Sequence, residues 1–575
     1  MLFQERYRRL NSEQKKAVDT IDGPVMVIAG PGSGKTELLS MRVANILRQA
    51  DVQANNILCL TFTDAASKNM RERLTNLIGN DAHKVAIHTF HSFAIDMMHR
   101  FAESFFEAEA HTPITEVGQI EVLSNILETF PLSNAFSKRN PEGSFVYLRS
   151  IKNRIGVLKK AGISPDEYAA IIRENSKLFF DIEQILLPVF KKRVSKSVTT
   201  ELPKLFGQIR MMKTVEQNNE STLSYSDVLA NELEEAYAQA NEKNSTKPIS
   251  AFKQNWFKKD PETAELILKD RYHHERNFSL AEVYKQYQQQ IRNSERMDFD
   301  DMILDLLQGM KNNPGVLASL QEQFQYILVD EFQDSNDAQM RIIQMLTENP
   351  VHEGKPNILL VGDDDQAIYK FQGAKVNNII RFTQRYPATE IICLVKNYRS
   401  TKDIVQFAQH IISQGDERLV HSIESIEKKL EAANPNLKSG QIHVHSFDTA
   451  MHEYSYIAAQ VQKQLDDHVP ANEIAIIARN HRELGKVAQV LEAKNIPLQY
   501  ERRSNVLDER HIQEFLLLAR VLDSLATKEL QYANELMPEL LSAHFWDLKR
   551  ADIWKLSIAA NDQEGHNRWI DAMLE

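Results

Sequence analysis

The chain is poor in the features of secreted and membrane proteins. It has only two cysteines in 575 residues, Cys59 and Cys393, so a disulfide framework is excluded. Both lie in apolar runs typical of buried thiols in a reducing compartment. No run of about 18 or more apolar residues occurs, and the N-terminus lacks an apolar segment of signal-peptide length. We therefore expect a cytoplasmic protein with no membrane contact.

An excess of positive charge is also absent. The chain has 68 Lys and Arg against 79 Asp and Glu, a formal net charge of −11. This balance excludes a uniformly basic coat for nucleic acid, although it allows a local basic or aromatic groove. The apolar content is ordinary for a soluble globular protein, and the length predicts three or four domains.

The strongest motif is a glycine-rich loop at residues 29–36. An apolar run at residues 24–28 predicts a buried strand before it, and helical spacing predicts a helix over residues 38–47. Backbone N–H groups of such a loop, with the helix N-terminus, form a phosphate cradle. Lys35 can reach a β- or γ-phosphate, and the Thr36 hydroxyl can hold Mg²⁺. The candidate nucleotide-binding residues are Ala29, Gly30, Pro31, Gly32, Ser33, Gly34, Lys35 and Thr36, with Ala29 at a position where the strict pattern has glycine.

Polar residues follow three further predicted strands. The apolar run at residues 324–329 ends in Asp330, suited to Mg²⁺, and Glu331, suited to orienting or deprotonating a water molecule. Gln366 follows the run at residues 357–361 and can sense a γ-phosphate. The run at residues 390–394 leads to two more candidates, namely Tyr398, which can stack on a base, and Arg399, which can neutralise charge on the transferred phosphoryl group.

Upstream of the loop, Gln14 lies in a segment where Asn11 or Ser12 can cap a helix. Its amide offers a donor and an acceptor, which suits the edge of adenine. The alternative is an exposed helical glutamine.

Hydroxyl and aromatic side chains predict a path for a single strand. The predicted strands at residues 57–63 and 85–93 end in such residues, and ligands of open α/β sheets bind beyond the carboxyl ends of strands. The candidate DNA-binding residues are Phe62, Thr63, Thr89, His91, Tyr369 and Phe371. Aromatic rings at the ends of these strands can stack on bases. The alternative interpretation of each aromatic residue is packing in the core.

The pattern changes along the chain in a way that predicts inserted domains. Helical, polar segments fill the stretch from about residue 100 to 290, including an aromatic and lysine-rich piece at residues 252–259 for which a lysine-striped helix face is favoured over a nucleic-acid contact. A second α/β unit follows, with strands predicted near residues 441–446 and 473–478. After about residue 525 the chain becomes helical again.

Seven short motifs occur in the order found in UvrD/Rep-type superfamily 1 DNA helicases. They are LNSEQ, AGPGSGKT, TFTDAAS, HTFHSF, DEFQD, GDDDQAIYKFQGA and NYRS. The resemblance implies an α/β fold of two RecA-like P-loop domains with parallel sheets and helical insertions. The boundaries implied are 1–100 and 291–395 for domain 1A, 101–290 for insertion 1B, 396–525 for a partial domain 2A and 526–575 for the start of insertion 2B.

The resemblance also implies ATP and Mg²⁺ as cofactors, with 3′-to-5′ translocation on single-stranded DNA and unwinding at junctions with duplex. Lys35, Asp330, Glu331, Gln366 and Arg399 would be catalytic, with Arg399 the first arginine finger. Thr36 and Asp330 would hold the metal. Gln14 would read adenine and Tyr398 would stack on it.

Three departures from the family pattern accompany this resemblance. Asp64-Ala65 stands where Asn-Lys is usual, and Gln372 stands where Arg is common, so phosphate contacts are missing. Two later motifs, T-x-H-x-x-K-G-L-E and V-A-x-T-R-A, are not found. We therefore expect a monomeric N-terminal fragment that binds nucleotide but hydrolyses it slowly and does not unwind DNA.

Rival functions remain open at this point. One is the helicase part of a helicase–nuclease recombination machine, which a downstream carboxylate cluster would reveal. Another is a DNA-binding module that nucleotide merely switches. A P-loop enzyme acting on small molecules would leave the rings at positions 369 and 371 without a purpose.

Overall fold

The computed structural model describes residues 2–105, 112–141, 143–191, 194, 196–212, 225–260, 264–368, 377–415, 418–421, 423, 426–434, 437, 440–500, 506–562 and 568–574. The chain divides into two compact units, Met1–Ile442 and His443–Glu575. The predicted domain boundaries are finer than this division and stay predictions. Among the described helices, none has the length and apolar character needed to cross a membrane.

Helices and strands alternate at the start of the first unit. In chain order the elements are α1 (Leu2–Arg9), α2 (Ser12–Asp19), β1 (Val25–Ala29), α3 (Lys35–Gln49), β2 (Ile57–Thr61), α4 (Asp64–Ile78), β3 (Ala86–Thr89) and α5 (Phe90–Arg100).

A mainly helical stretch follows. Its elements are β4 (Thr112–Pro113), α6 (Glu116–Glu128), α7 (Leu148–Lys160), α8 (Pro165–Phe190), α9 (Lys196–Met211), α10 (Tyr225–Glu242), α11 (Lys247–Trp256), β5 (Phe257–Lys259), β6 (Leu266–Leu268) and α12 (Lys269–Asn293). Phe252 and Phe257 lie in the apolar core of this stretch, so packing accounts for the rings at residues 252–259. The helix ends at Trp256, and the last three residues of that piece form a strand.

The α/β alternation then resumes and completes the first unit. Its elements are β7 (Arg296–Met297), α13 (Phe299–Asn312), α14 (Pro314–Gln323), β8 (Tyr326–Val329), α15 (Asp337–Thr347), β9 (Ile358–Gly362), α16 (Asn377–Arg385), β10 (Glu390–Leu394), β11 (Lys396–Asn397), α17 (Lys402–Ile412) and β12 (Glu431–Ala432).

Six of these strands form one parallel sheet in the order β10-β1-β9-β8-β2-β3. The four central strands β1, β2, β8 and β9 are buried at every position, which explains why their side chains do not alternate between apolar and polar. Val25 and Val27 enter the core on one face, and Met26 and Ile28 enter the core on the other. All six carboxyl ends lie along one edge, which gathers the residues that follow them.

The third strand is shorter than the pattern predicted. The prediction over residues 85–93 is wrong beyond Thr89, because Phe90 begins α5. The Thr89 hydroxyl accepts a hydrogen bond from the Ser92 N–H at 3.2 Å, and the Ser92 hydroxyl bonds back to the Thr89 N–H at 2.8 Å. This capping box starts a helix in a run whose apolar residues suited either structure.

The regular secondary structure described in the second unit is helical. Its helices are α18 (Ala450–Asp466), α19 (His481–Ala493), α20 (Arg510–Ala526), α21 (Leu530–Leu541), α22 (Arg550–Asp562) and α23 (Arg568–Leu574). The strands predicted near residues 441–446 and 473–478 are wrong for these described segments, because neither has the hydrogen-bonded neighbour that a strand requires. Val444 and Ile477 are accordingly exposed.

Candidate functional site

The glycine-rich loop folds as a turn between β1 and α3. Gly32 and Gly34 have φ angles of 68° and 86°, a region that favours glycine. The Ser33 hydroxyl donates to the Gly30 carbonyl at 2.7 Å and tightens the turn. Lys35 is the first residue of α3, so the positive end of the helix dipole lies at the loop.

Lys35 and Glu331 meet at the carboxyl edge of the sheet. Lys35 Nζ lies 2.8 Å from Glu331 Oε2, and the side chains are 12% and 33% exposed. Glu331 has a φ angle of 47°, in the left-handed region, which for a residue other than glycine marks local strain typical of functional sites. Gln333 Nε2 donates to the same Glu331 oxygen at 2.8 Å. Two donors therefore hold one carboxylate oxygen of Glu331.

Two more carboxyl groups lie beside this pair. Burial raises the pKa of Asp330 to about 6, and the charge of Glu331 adds to the increase. The same causes in the same order raise the pKa of Asp334 to about 6. One Asp334 oxygen is buried without a hydrogen-bond partner. The raised pKa values mean that these two carboxyl groups hold their protons more tightly, and a bound cation would favour their ionised form.

Gln14 is buried against the loop and is not the exposed helical glutamine considered above. Its Nε2 donates to the Ser33 carbonyl at 2.8 Å, and its Oε1 accepts from the Asn11 N–H at 3.0 Å. Asn11 Nδ2 in turn donates to the Tyr398 hydroxyl at 3.0 Å. Gln14 and Tyr398, both predicted to contact adenine, therefore border the same loop, and their roles stay predictions.

The segment after β10 lies directly on the loop. The Tyr398 N–H donates to the Gly32 carbonyl at 2.9 Å, and Asn397 Nδ2 donates to the Pro31 carbonyl at 2.7 Å. A β-carbon added to Gly32 would lie 2.8 Å from Arg399 Cβ, so only glycine leaves room for this approach. The structure thus brings Lys35, Glu331 and Arg399 to one loop. The role of Arg399 as an arginine finger stays a prediction.

The donors at the loop fit Mg²⁺. Thr36 supplies a hydroxyl and Asp330 a carboxylate, both hard oxygen donors. In the described part of the chain no group of three or more His, Cys, Asp or Glu side chains could hold a metal by itself. Mg²⁺ usually takes one or two protein oxygens and completes its shell with substrate phosphates and water, so this sparse set fits a metal that arrives with a nucleotide.

Gln366 is fixed one strand further along the sheet. Its Nε2 donates to Asp363 Oδ2 at 2.7 Å. The Asp363 N–H donates to Gln333 Oε1 at 3.0 Å, and Gln333 also bonds Glu331. Gln333 was not singled out in the sequence, although its place in DEFQD was visible. The fold makes it the link between the ends of β8 and β9.

An aromatic cavity of about 290 Å³ opens beside the acids. Phe62, His91 and Phe299 line it, and the His91 and Phe299 rings meet edge to face at 5.8 Å. Phe299 is 63% exposed despite being a large apolar residue. Burial lowers the pKa of His91, which favours its neutral ring. Phe299 was not among the residues singled out from the sequence.

The two threonines predicted to contact DNA already cap helices. The Thr63 hydroxyl accepts from the Ala66 N–H at 3.1 Å at the start of α4, and Thr89 caps α5 as described above. Their DNA contacts stay predictions. Tyr369, Phe371 and Gln372 lie outside the described residues.

Two family models match the chain. The model described as UvrD/REP helicase N-terminal domain matches residues 10–387. The chain belongs to this helicase family. The model described as UvrD-like helicase C-terminal domain matches residues 392–529. The resemblance predicted from the ordered motifs is therefore confirmed, and so is the α/β fold class.

Curated relatives agree with this family. The chain is 27% identical over 515 residues to the ATP-dependent DNA helicase PcrA of Staphylococcus epidermidis, covering 90% of this chain and 54% of the relative. It is 26% identical over 513 residues to the PcrA of Staphylococcus aureus, covering 89% and 53%. The chain thus spans about half the length of the curated relatives it matches.

Proposed function

We propose that this UvrD/REP family chain carries the ATP-driven motor of a DNA helicase. The motor moves 3′-to-5′ along single-stranded DNA and acts at junctions with duplex. The observation that carries the proposal is that the Lys35–Glu331 pair and the segment around Arg399 meet at one glycine-rich loop. The curated relatives bear the name ATP-dependent DNA helicase, which agrees with this assignment.

The Lys35–Glu331 pair suits a site that changes partners. Lys35 exchanges the Glu331 carboxylate for β- and γ-phosphate oxygens, which frees Glu331 to orient water and accept its proton. Thr36 and Asp330 would hold Mg²⁺, which when bound would neutralise phosphate charge. Arg399 stabilises charge that develops on the transferred phosphoryl group.

The aromatic cavity suits a single strand. Phe62, His91 and Phe299 present rings beside the sheet edge that carries the acids. Stacking on such rings contributes about 1–3 kcal/mol per base, enough to hold a strand and small enough to release it. A motor with a net charge of −11 holds DNA through few phosphate contacts and releases it readily.

We further propose a cytoplasmic, monomeric chain with slow hydrolysis. Both cysteines are free, as expected in a reducing compartment. The family's two later motifs are not found in these residues. Those motifs would supply a second arginine finger. ATP turnover by this chain is therefore slow.

The test is single-turnover ATP hydrolysis with and without an oligothymidine strand. Lys35→Ala should lower the rate at least about a hundredfold, because the phosphate loses its cation. Lys84→Ala, which removes an exposed lysine far from the loop in sequence, should leave the rate unchanged. ATP turnover retained by Lys35→Ala would refute the proposal. Strand displacement on duplexes with 3′ or 5′ tails tests the direction.

A further inference from the structure

Three consecutive aspartates after β9 are enclosed by two cations. Lys428 Nζ lies 2.6 Å from Asp363 Oδ1 and also pairs with Asp364, and its side chain is only 7% exposed. Arg418 holds Asp365 at two points, Nε to Oδ1 at 2.8 Å and Nη2 to Oδ2 at 2.7 Å. The cations belong to the C-terminal family segment and the aspartates to the N-terminal one. This aspartate clamp therefore fastens one family segment to the other.

Within the aspartate clamp, Asp363 is held from two directions. Lys428 donates to one carboxylate oxygen, and Gln333 Oε1 accepts from the Asp363 N–H at 3.0 Å. The other carboxylate oxygen accepts from Gln366 Nε2 at 2.7 Å. Because Asp363 fixes the donor end of the Gln366 amide, the orientation of that amide depends on Lys428.

A continuous series of polar contacts joins the aspartate clamp to the phosphate loop. Lys35 Nζ pairs with Glu331 Oε2 at 2.8 Å, and Gln333 Nε2 donates to the same oxygen at 2.8 Å. Gln333 then contacts Asp363, which Lys428 holds. A ligand that takes Lys35 away from Glu331 therefore changes the partners at one end of this series.

We propose that Lys428, supported by Arg418, is a positioning residue for ATP hydrolysis. It fixes Asp363, and through Asp363 the Gln366 amide, so that DNA-stimulated turnover depends on the aspartate clamp whereas nucleotide affinity does not. Gln366 lies three positions before Tyr369 in the sequence, which is close to the predicted DNA contacts. This inference rests on the proposed function.

The test compares Lys428→Ala, Lys428→Arg and Lys429→Ala in the whole chain. Lys429 is the exposed neighbour of the same charge and serves as the matched control. Three quantities are measured, namely the single-turnover hydrolysis rate with and without oligothymidine, the affinity for a fluorescent non-hydrolysable ATP analogue, and the melting temperature.

We expect Lys428→Ala to lower the DNA-stimulated rate about tenfold or more while analogue affinity stays within about threefold, the pattern of a lost transition-state interaction. Lys428→Arg should recover part of the rate because it restores a cation, and Lys429→Ala should match the unmodified chain. A folded Lys428→Ala chain with an unchanged rate overturns the inference. So does a loss of rate and analogue affinity in parallel with the melting temperature.

Gly362→Ala decides the matter if Lys428→Ala does not fold. A β-carbon there would lie 2.5 Å from Gln333 Oε1, so it loosens the second hold on Asp363 without removing a charge. A lower DNA-stimulated rate at unchanged analogue affinity supports the inference, and an unchanged rate overturns it. If the unmodified chain neither binds the analogue nor hydrolyses ATP, the proposed function itself fails.

Discussion

Among the lysines of the first unit that pair with carboxylates, Lys159 and Lys35 differ in how completely their charges are enclosed. Lys159 Nζ lies 2.6 Å from Asp298 Oδ2 and 2.7 Å from Asp301 Oδ1, and its side chain is 0% exposed. Lys35 is 12% exposed, and its partner Glu331 is 33% exposed. Similar ion pairs thus occur in a closed setting and in an open one.

The hydrogen-bond partners of the carboxylates explain how the Lys159 cluster differs in role from the Lys35–Glu331 pair. Gln288 Nε2 donates to Asp301 at 2.8 Å, and Tyr287 donates to Asp298 at 3.3 Å. This closed cluster joins α7, α12 and α13, and its charges are compensated by the fold itself. Glu331 instead shares one oxygen between Lys35 and Gln333, and its side chain is 33% exposed. A closed cluster therefore supports the structure, whereas an open pair can exchange partners with a ligand.

The sharpest contrast is expected in stability. Lys159→Ala leaves two buried aspartates without their cation and should lower the free energy of unfolding by about 3–5 kcal/mol. Lys35→Ala removes a partly exposed pair and should lower it by less than about 1 kcal/mol. Urea denaturation of both variants measures the difference. Equal losses would show that exposure does not separate the two settings.

The next effect concerns DNA. Phe299 lies on the first turn of α13, beside the closed cluster, yet faces the cavity. Phe299→Ala should weaken binding of an oligothymidine strand by about 1–3 kcal/mol, the contribution of one stacked base. Fluorescence anisotropy measures this affinity. Phe180→Ala, which removes another exposed ring, should bind as the unmodified chain does, and equal weakening in both variants would contradict a specific role for Phe299.

A smaller effect is expected in the pH dependence of stability. Burial, followed by the charge of Asp301, raises the pKa of Asp305 to about 6, against an ordinary value of 3.8. The folded chain therefore binds this proton more tightly than the unfolded chain, so the free energy of unfolding falls as pH rises from about 4 to about 6, with a slope of up to about 1.4 kcal/mol per pH unit. Asp305→Asn should remove this contribution to the slope. Asp81→Asn, at an exposed position, is the control, and an unchanged slope in Asp305→Asn would contradict the assignment.

The smallest effect is expected at the surface. Lys16 Nζ lies 2.7 Å from Glu390 Oε1, and the two side chains are 57% and 33% exposed. Glu390→Ala should lower the free energy of unfolding by only about 0–1 kcal/mol, and about 1 M salt should remove that difference. A loss of unfolding free energy as large as that of Lys159→Ala would contradict the conclusion that enclosed ion pairs contribute more to stability than exposed ones.

The central sheet was predictable because its signals are local. The four central strands β1, β2, β8 and β9 are short, largely apolar runs, and a strand buried on both faces needs no alternation. The glycine-rich loop and the acids after β8 follow from the same short-range patterns. The end of β3 was mispredicted because its last apolar residues fit both a strand and a helix, and the Thr89 cap decided the outcome.

The sequence by itself determined the family, the phosphate loop and the candidate acids, because each depends on residues close together in the chain. Only the tertiary structure decided which side chains meet. Lys35 and Glu331 are separated by 296 positions, and Lys428 and Asp363 by 65. The tertiary structure also showed that Phe299 faces a cavity. It further showed that the predicted strands of the second unit have no paired neighbours among the described residues. Pairings of this kind depend on how the sheet orders its strands, and no local pattern encodes that order.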